Sequence, residues 1–132
     1  PGQYVVPHCL DQKEMADPAM QKKLTEGANA MIYIGPTGMP NMGKLLGATV
    51  VYNFIISLFA GYVAKASLGA GAEYLAVFQV VGATTFLAYA GQSAGDSIWK
   101  YRPWRVTFRC ALDGLIYAAL TAGSFAWQWP NA

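Results

Sequence analysis

The chain has 132 residues, of which 55% are hydrophobic and only 12% charged, and its formal net charge is +2. A soluble domain carries roughly 25% charged residues, so this composition excludes a disordered chain, a basic nucleic-acid binder and an acidic tail protein, each of which needs charge that is missing here. The total charge is uninformative; the placement of the nine Lys and Arg matters, because in a membrane protein it sets orientation.

Residues 1–44 hold most of the acidic residues and most of the prolines, and they read as a small mixed surface domain. Tyr4-Val-Val6 and Met31-Ile-Tyr-Ile34 have the composition of short strands, and Gly35-Pro-Thr-Gly38 that of the turn after the second. Between them, Asp17-Pro18 predicts a helix start: Asp accepts from free backbone N–H groups, and Pro at the first helical position loses nothing by lacking its own. Gly27 is the matching stop. Met20 and Leu24, one turn apart, give this helix a narrow apolar stripe suited to a membrane surface, a partner or the protein's own strands.

Gly38-Met-Pro-Asn-Met-Gly43-Lys44 matches the first seven positions of a phosphate-binding loop. The match fails chemically. Leu45 stands where Mg²⁺ binding needs Ser or Thr, Pro40 removes a cradling N–H, and the following helix is apolar throughout. A hinge into that helix, with Asn41 as its cap, explains the same residues.

Residues 45–132 predict a helical membrane domain. Charge-free runs extend from Leu45 to Ala64, Tyr74 to Gly95 and Gly114 to Ala132. Each is long enough for a helix to cross a ~30 Å hydrocarbon core, which takes about 20 residues. The fold class is therefore an all-α membrane protein with three transmembrane helices, over about 45–66, 73–95 and 107–128. Leu68-Gly-Ala-Gly-Ala72 is so short a link that the first two helices must be antiparallel neighbours.

Lys13, Lys22, Lys23 and Lys44 precede the first helix, and Lys100, Arg102, Arg105 and Arg109 cluster around the second connection; Lys65 alone lies on the other side. The positive-inside rule puts the N-terminal domain and a 96–106 loop in the cytoplasm and the C-terminus outside. In that loop Trp99, Lys100, Arg102, Trp104 and Arg105 can hold acidic headgroups, a partner's carboxylates or an anionic substrate, by bidentate hydrogen bonds and cation–π contacts.

Asp113 lies within the third helix. At ~1.5 Å rise per residue it is about 10 Å inside the nearer interface, with Asn53 about 13 Å and Tyr89 about 9 Å inside. Ionisable groups at such depth face other helices and are paired. Arg109 is one turn before Asp113, so Asn53, Tyr89, Arg109 and Asp113 are expected to form one polar cluster, as a proton or ligand site or as interhelical glue. Small residues recurring every four positions, Ser57/Gly61, Gly91/Gly95 and Gly114/Ala118/Ala122, offer grooves for close helix approach.

His8-Cys9 is the one adjacent pair of good metal ligands, but His8 is the only histidine and Cys110 the only other cysteine, too few for a closed zinc site or a two-histidine haem. The lone histidine lies far in sequence from the serines of the helices. No cofactor and no catalytic residue is expected.

At Pro1-Gly-Gln-Tyr…Pro7-His-Cys9, and again at Ser97-Ile-Trp-Lys…Pro103-Trp…Asp113-Gly-Leu-Ile-Tyr-Ala-Ala-Leu-Thr-Ala-Gly123, the chain resembles a family of small, uncharacterised bacterial inner-membrane proteins. The resemblance implies a bacterial inner membrane and brings no activity, cofactor or site residue. The reading of function is a non-catalytic accessory or scaffold subunit, touching membrane lipids and either a larger membrane complex or copies of itself, with no nucleic acid. The alternatives are a small transporter or channel protomer built around Asp113, or a lipid- or quinone-interacting enzyme subunit that uses Arg102 and Arg105.

Overall fold

The computed structural model describes residues 1–9 and 11–130. Residue 10 of the predicted surface domain and residues 131–132 of the predicted helical domain lie outside them. Strand β1 (Gly2–Val6) pairs antiparallel with β2 (Ala30–Ile34), Gly2 opposite Ile34 and Val6 opposite Ala30. Between the strands run α1 (Gln12–Met15) and α2 (Pro18–Glu26).

Helix α1, a single turn, is absent from the sequence expectation. Asp11 makes it, its Oδ1 accepting from the N–H groups of Lys13 and Glu14, both at 2.9 Å. Asp17 caps α2 through Ala19 N at 3.4 Å. Gly27 ends α2 for a different reason from the usual left-handed glycine: it is extended, at φ −93° and ψ 174°. A Cβ there would collide with the Lys23 carbonyl oxygen, so what the position requires is the missing side chain.

Three long helices follow: α3 (Met42–Ser67), α4 (Tyr74–Trp99) and α5 (Trp104–Trp127). All three are long and apolar enough to cross a membrane, as an integral membrane protein requires. Asn41 caps α3, its Oδ1 accepting from Lys44 N at 3.0 Å. That oxygen takes the N–H a phosphate would have used.

Helices α4 and α5 form the tightest pair. They run antiparallel, and their seams repeat every four residues, with Val77, Val81 and Thr85 of α4 and Gly114, Ala118, Ala122 and Ala126 of α5 buried. A Cβ added at Gly114 would come 3.1 Å from Ala90 Cβ, and one at Gly82 would come 3.5 Å from Ala122 Cβ. Such closeness matters between apolar helices because packing contacts, not the hydrophobic effect, hold them together in lipid. Helix α3 packs on them by its second half, its first half touching α4 through the Tyr52 hydroxyl. Ile56, Ala60 and Ala64 are buried, Gly61 lies under the Phe125 ring, and every residue from Met42 to Ile55 is exposed.

The α4–α5 connection is shorter than the sequence suggests. Helix α4 continues through Trp99 and α5 begins at Trp104, leaving Lys100–Pro103 in place of the expected 96–106 loop. Ser97, Ile98 and Trp99 contain no helix breaker, so α4 runs on until Tyr101 turns the chain at φ 56°, in the left-handed region. Pro103 then starts α5. At the opposite end the α3–α4 loop is tied to the end of α5: Gly71 N donates to Pro130 O at 2.9 Å and Trp129 Nε1 to Gly69 O at 3.1 Å. Trp129 thereby clasps that loop.

Candidate functional site: a polar cleft between three helices

Because α3 packs on α4 and α5 by its second half, its first half leaves a cleft of about 460 Å³ between the helices. Asn53 and Ser57 of α3, Tyr89 of α4 and Asp113 of α5 line it, together with Tyr52 and Tyr117. The three helices bring Tyr52, Asn53, Tyr89 and Asp113 to one level, since each lies 9 to 11 residues from its helix end on the α4–α5 loop side, with Ser57 and Tyr117 about one turn deeper. At ~1.5 Å per residue that is roughly 14–17 Å from those ends.

The rings organise the cleft. Tyr89 and Tyr117 meet edge to face, with centroids 6.1 Å apart and planes at 64°. Tyr52 reaches across from α3, its hydroxyl donating to the Ala88 carbonyl at 3.3 Å. Tyr52 and Tyr117 were missed in the sequence reading, although signals for both exist: Tyr52 is adjacent to Asn53, and Tyr117 is one turn beyond Asp113 on the same face.

Arg109 is the correction to the expected cluster. It is exposed, does not line the cleft, and forms no ion pair with Asp113 among the described residues. A spacing of four permits a pair without requiring one, and the long Arg side chain is free to extend toward the helix end. Asp113 is itself exposed within the chain.

The charges are instead concentrated at the α4–α5 end. Asp96 Oδ1 holds Lys100 Nζ at 2.6 Å, and Asp96 Oδ2 lies 3.6 Å from Arg102 Nη1. The Asp96 carbonyl also accepts from Lys100 N at 3.0 Å and Arg102 N at 3.4 Å, so one residue fixes the turn by charge and by backbone. Lys100 additionally sits 5.9 Å from the centre of the Tyr33 ring of β2. The Asp96 carboxylate, then the Tyr33 hydroxyl, hold the Lys100 ammonium above the ordinary lysine range. Between the helices, Ser97 and Thr107 share a hydrogen bond, and Thr107 Oγ1 donates to Ser93 O at 3.1 Å.

Of the five residues expected to form a headgroup- or partner-binding loop, Lys100 and Arg102 are in the loop, while Trp99 ends α4 and Trp104 and Arg105 begin α5. Trp99, Trp104 and Arg105 are exposed. Of the small-residue stripes, Gly114/Ala118/Ala122 is buried in the α4–α5 seam, and Gly61 contacts Phe125. Gly91 and Gly95 face open space: a Cβ at either would meet nothing within 4 Å. Cys9 and Cys110 are free thiols, and Arg102 Nη2 donates to Cys110 Sγ at 3.5 Å. No group of three or more His, Cys, Asp and Glu among the described residues could hold a metal ion.

No protein-family model, no curated protein and no solved structure matches the chain.

Proposed function

We propose that this protein is a non-catalytic accessory or scaffold subunit of a larger integral membrane complex in a bacterial inner membrane. Its N-terminal unit and α4–α5 loop lie on the cytoplasmic side, and its C-terminal end lies on the periplasmic side, as the distribution of Lys and Arg favours. The observation that carries the proposal is the first half of α3: every residue from Met42 to Ile55 is exposed, with the Tyr52 hydroxyl reaching Ala88 of α4, although Asn53 is polar and lies mid-helix. A polar group left without a partner in lipid is costly, so a helix of a neighbouring subunit is its natural cover. The open Gly91/Gly95 face supplies a second surface on which a helix backbone can approach closely. Trp104 and Arg105, both exposed, are suited to headgroups at the membrane surface.

Purification in a mild detergent followed by mass measurement tests this reading. A hetero-complex is expected; a lone monomer retaining its fold would refute it.

A second reading, a small transporter or channel protomer acting as an oligomer, is favoured by the Asp113 cleft. Asp113→Asn separates the two. An accessory subunit carrying this change still assembles and works, whereas proton-coupled transport stops with assembly intact. The lipid- or quinone-handling alternative, which uses Arg102 and Arg105, has less support, because Arg102 is already engaged by Asp96 and only Arg105 stays exposed.

A further inference from the structure

Asp113 places a carboxyl group near the middle of a long apolar helix, and it has no ion-pair partner among the described residues. The ion pairs among the described residues join Lys22 to Glu26, and Lys100 and Arg102 to Asp96. Arg109 lies outside the cleft, and no Lys, Arg or His lines it. Arg102 reaches one lining residue, Cys110 Sγ at 3.5 Å, but its guanidinium is already held by Asp96, so an anion entering the cleft would meet the Asp113 carboxylate and no free cationic partner. A positive group would find the reverse, because an ionised carboxylate at such depth is stable only when paired.

The surroundings of Asp113 select among cations. A hard metal ion wants six or more oxygen ligands, with several carboxylates or carbonyls converging; here there is one carboxylate and one amide, that of Asn53. The hydroxyls of Thr49 and Thr121 are turned back onto the Leu45 and Tyr117 carbonyls of their own helices, and the largest side chains of the wall are three tyrosines. Tyr89 and Tyr117 meet edge to face at 6.1 Å, and Tyr52 is braced across the cleft on Ala88 O. The faces of such rings attract a large, weakly hydrated cation within about 6 Å of their centres. The volume of about 460 Å³ suits a small organic molecule, and Gly114 and Leu120 in the lining offer apolar surface to its body.

We propose that this cleft binds a lipophilic organic cation, its positive centre set against Asp113 among Tyr52, Tyr89 and Tyr117 and its apolar body lying along α5. This goes beyond the subunit reading and stands whether or not the chain assembles with a larger complex.

Equilibrium binding of radiolabelled tetraphenylphosphonium to the full chain in dodecyl maltoside tests it. Saturable binding is expected, without displacement by the neutral triphenylphosphine oxide. Asp113→Asn, which keeps the shape and removes the charge, weakens it roughly thirtyfold. Tyr117→Leu weakens it about threefold through loss of one ring face. If Asp113→Asn loses its helical circular dichroism, the double variant Tyr52→Leu/Tyr117→Leu carries the test with the carboxylate in place, and it should bind roughly tenfold more weakly. The proposal is overturned by absence of saturable binding to the wild-type chain, by wild-type affinity in a folded Asp113→Asn or double variant, or by displacement with the neutral oxide. A negative result leaves the subunit reading to the mass measurement, so the two fail separately.

Discussion

Gly114 and Gly91 are the same residue type on two packed helices, yet a side chain means opposite things at the two positions. At Gly114 an added Cβ would press on Ala90 at 3.1 Å, whereas at Gly91 it would meet nothing. Gly114→Leu is therefore expected to lower stability by about 1–3 kcal/mol through overpacking. Gly91→Leu should leave the isolated chain as stable or raise it by up to ~1 kcal/mol from helix propensity. Thermal unfolding of both variants in one detergent checks the contrast. On the subunit reading, Gly91→Leu would impair assembly while sparing the fold. Lys100 gives a pH prediction. Its folded-state pKa is raised, chiefly by Asp96, so its contribution to stability is complete below the ordinary value of 10.5 and lost as pH rises through the higher folded value. The difference in melting temperature between wild type and Lys100→Gln should thus be constant near neutrality and close at strongly alkaline pH. The individual residues were unevenly legible. The common level of Asn53, Tyr89 and Asp113 can be counted from the sequence, because a helix is a rigid ruler of fixed rise. The absence of an Arg109–Asp113 pair cannot, because spacing defines reach and not the rotamer adopted.

At the scale of elements, the three long helices could be read from gaps in the charge pattern, and the α2 boundaries from Asp17-Pro18 and Gly27. Their ends were harder to place. The α4–α5 loop is four residues long because Tyr101 adopts a left-handed conformation that nothing in its identity announces. Helix α3 shows a deeper limit. Thr49, Asn53 and Ser57 recur every four residues and mark the side that lines the cleft, but nothing in the sequence shows that this side stays open while Ile56, Ala60 and Ala64 pack. The asymmetry has a measurable consequence. Ala60 is fully buried and Val50 is exposed. Ala60→Leu should cost about 1–3 kcal/mol by forcing α3 from α4, whereas Val50→Leu should change little. If both shift the melting temperature equally, the first half of α3 is packed after all.

Over the whole molecule, rigidity is unequally shared. Helices α4 and α5 form a closely seamed pair, α3 is attached along half its length, and the β1–β2 sheet approaches the bundle through Tyr33 and Lys100. The cleft is a product of that distribution, since it exists only where the attached helix leaves the seam. The clasp at the opposite end has a temporal implication. Gly69 and Gly71 are made early and receive their partners from Trp129 and Pro130, which leave the ribosome some sixty residues later. That rim is completed only after synthesis of the third helix has finished, so a chain stalled before Trp129 would carry an unlatched turn, a distinguishing mark by which a quality-control protease could tell unfinished copies from finished ones.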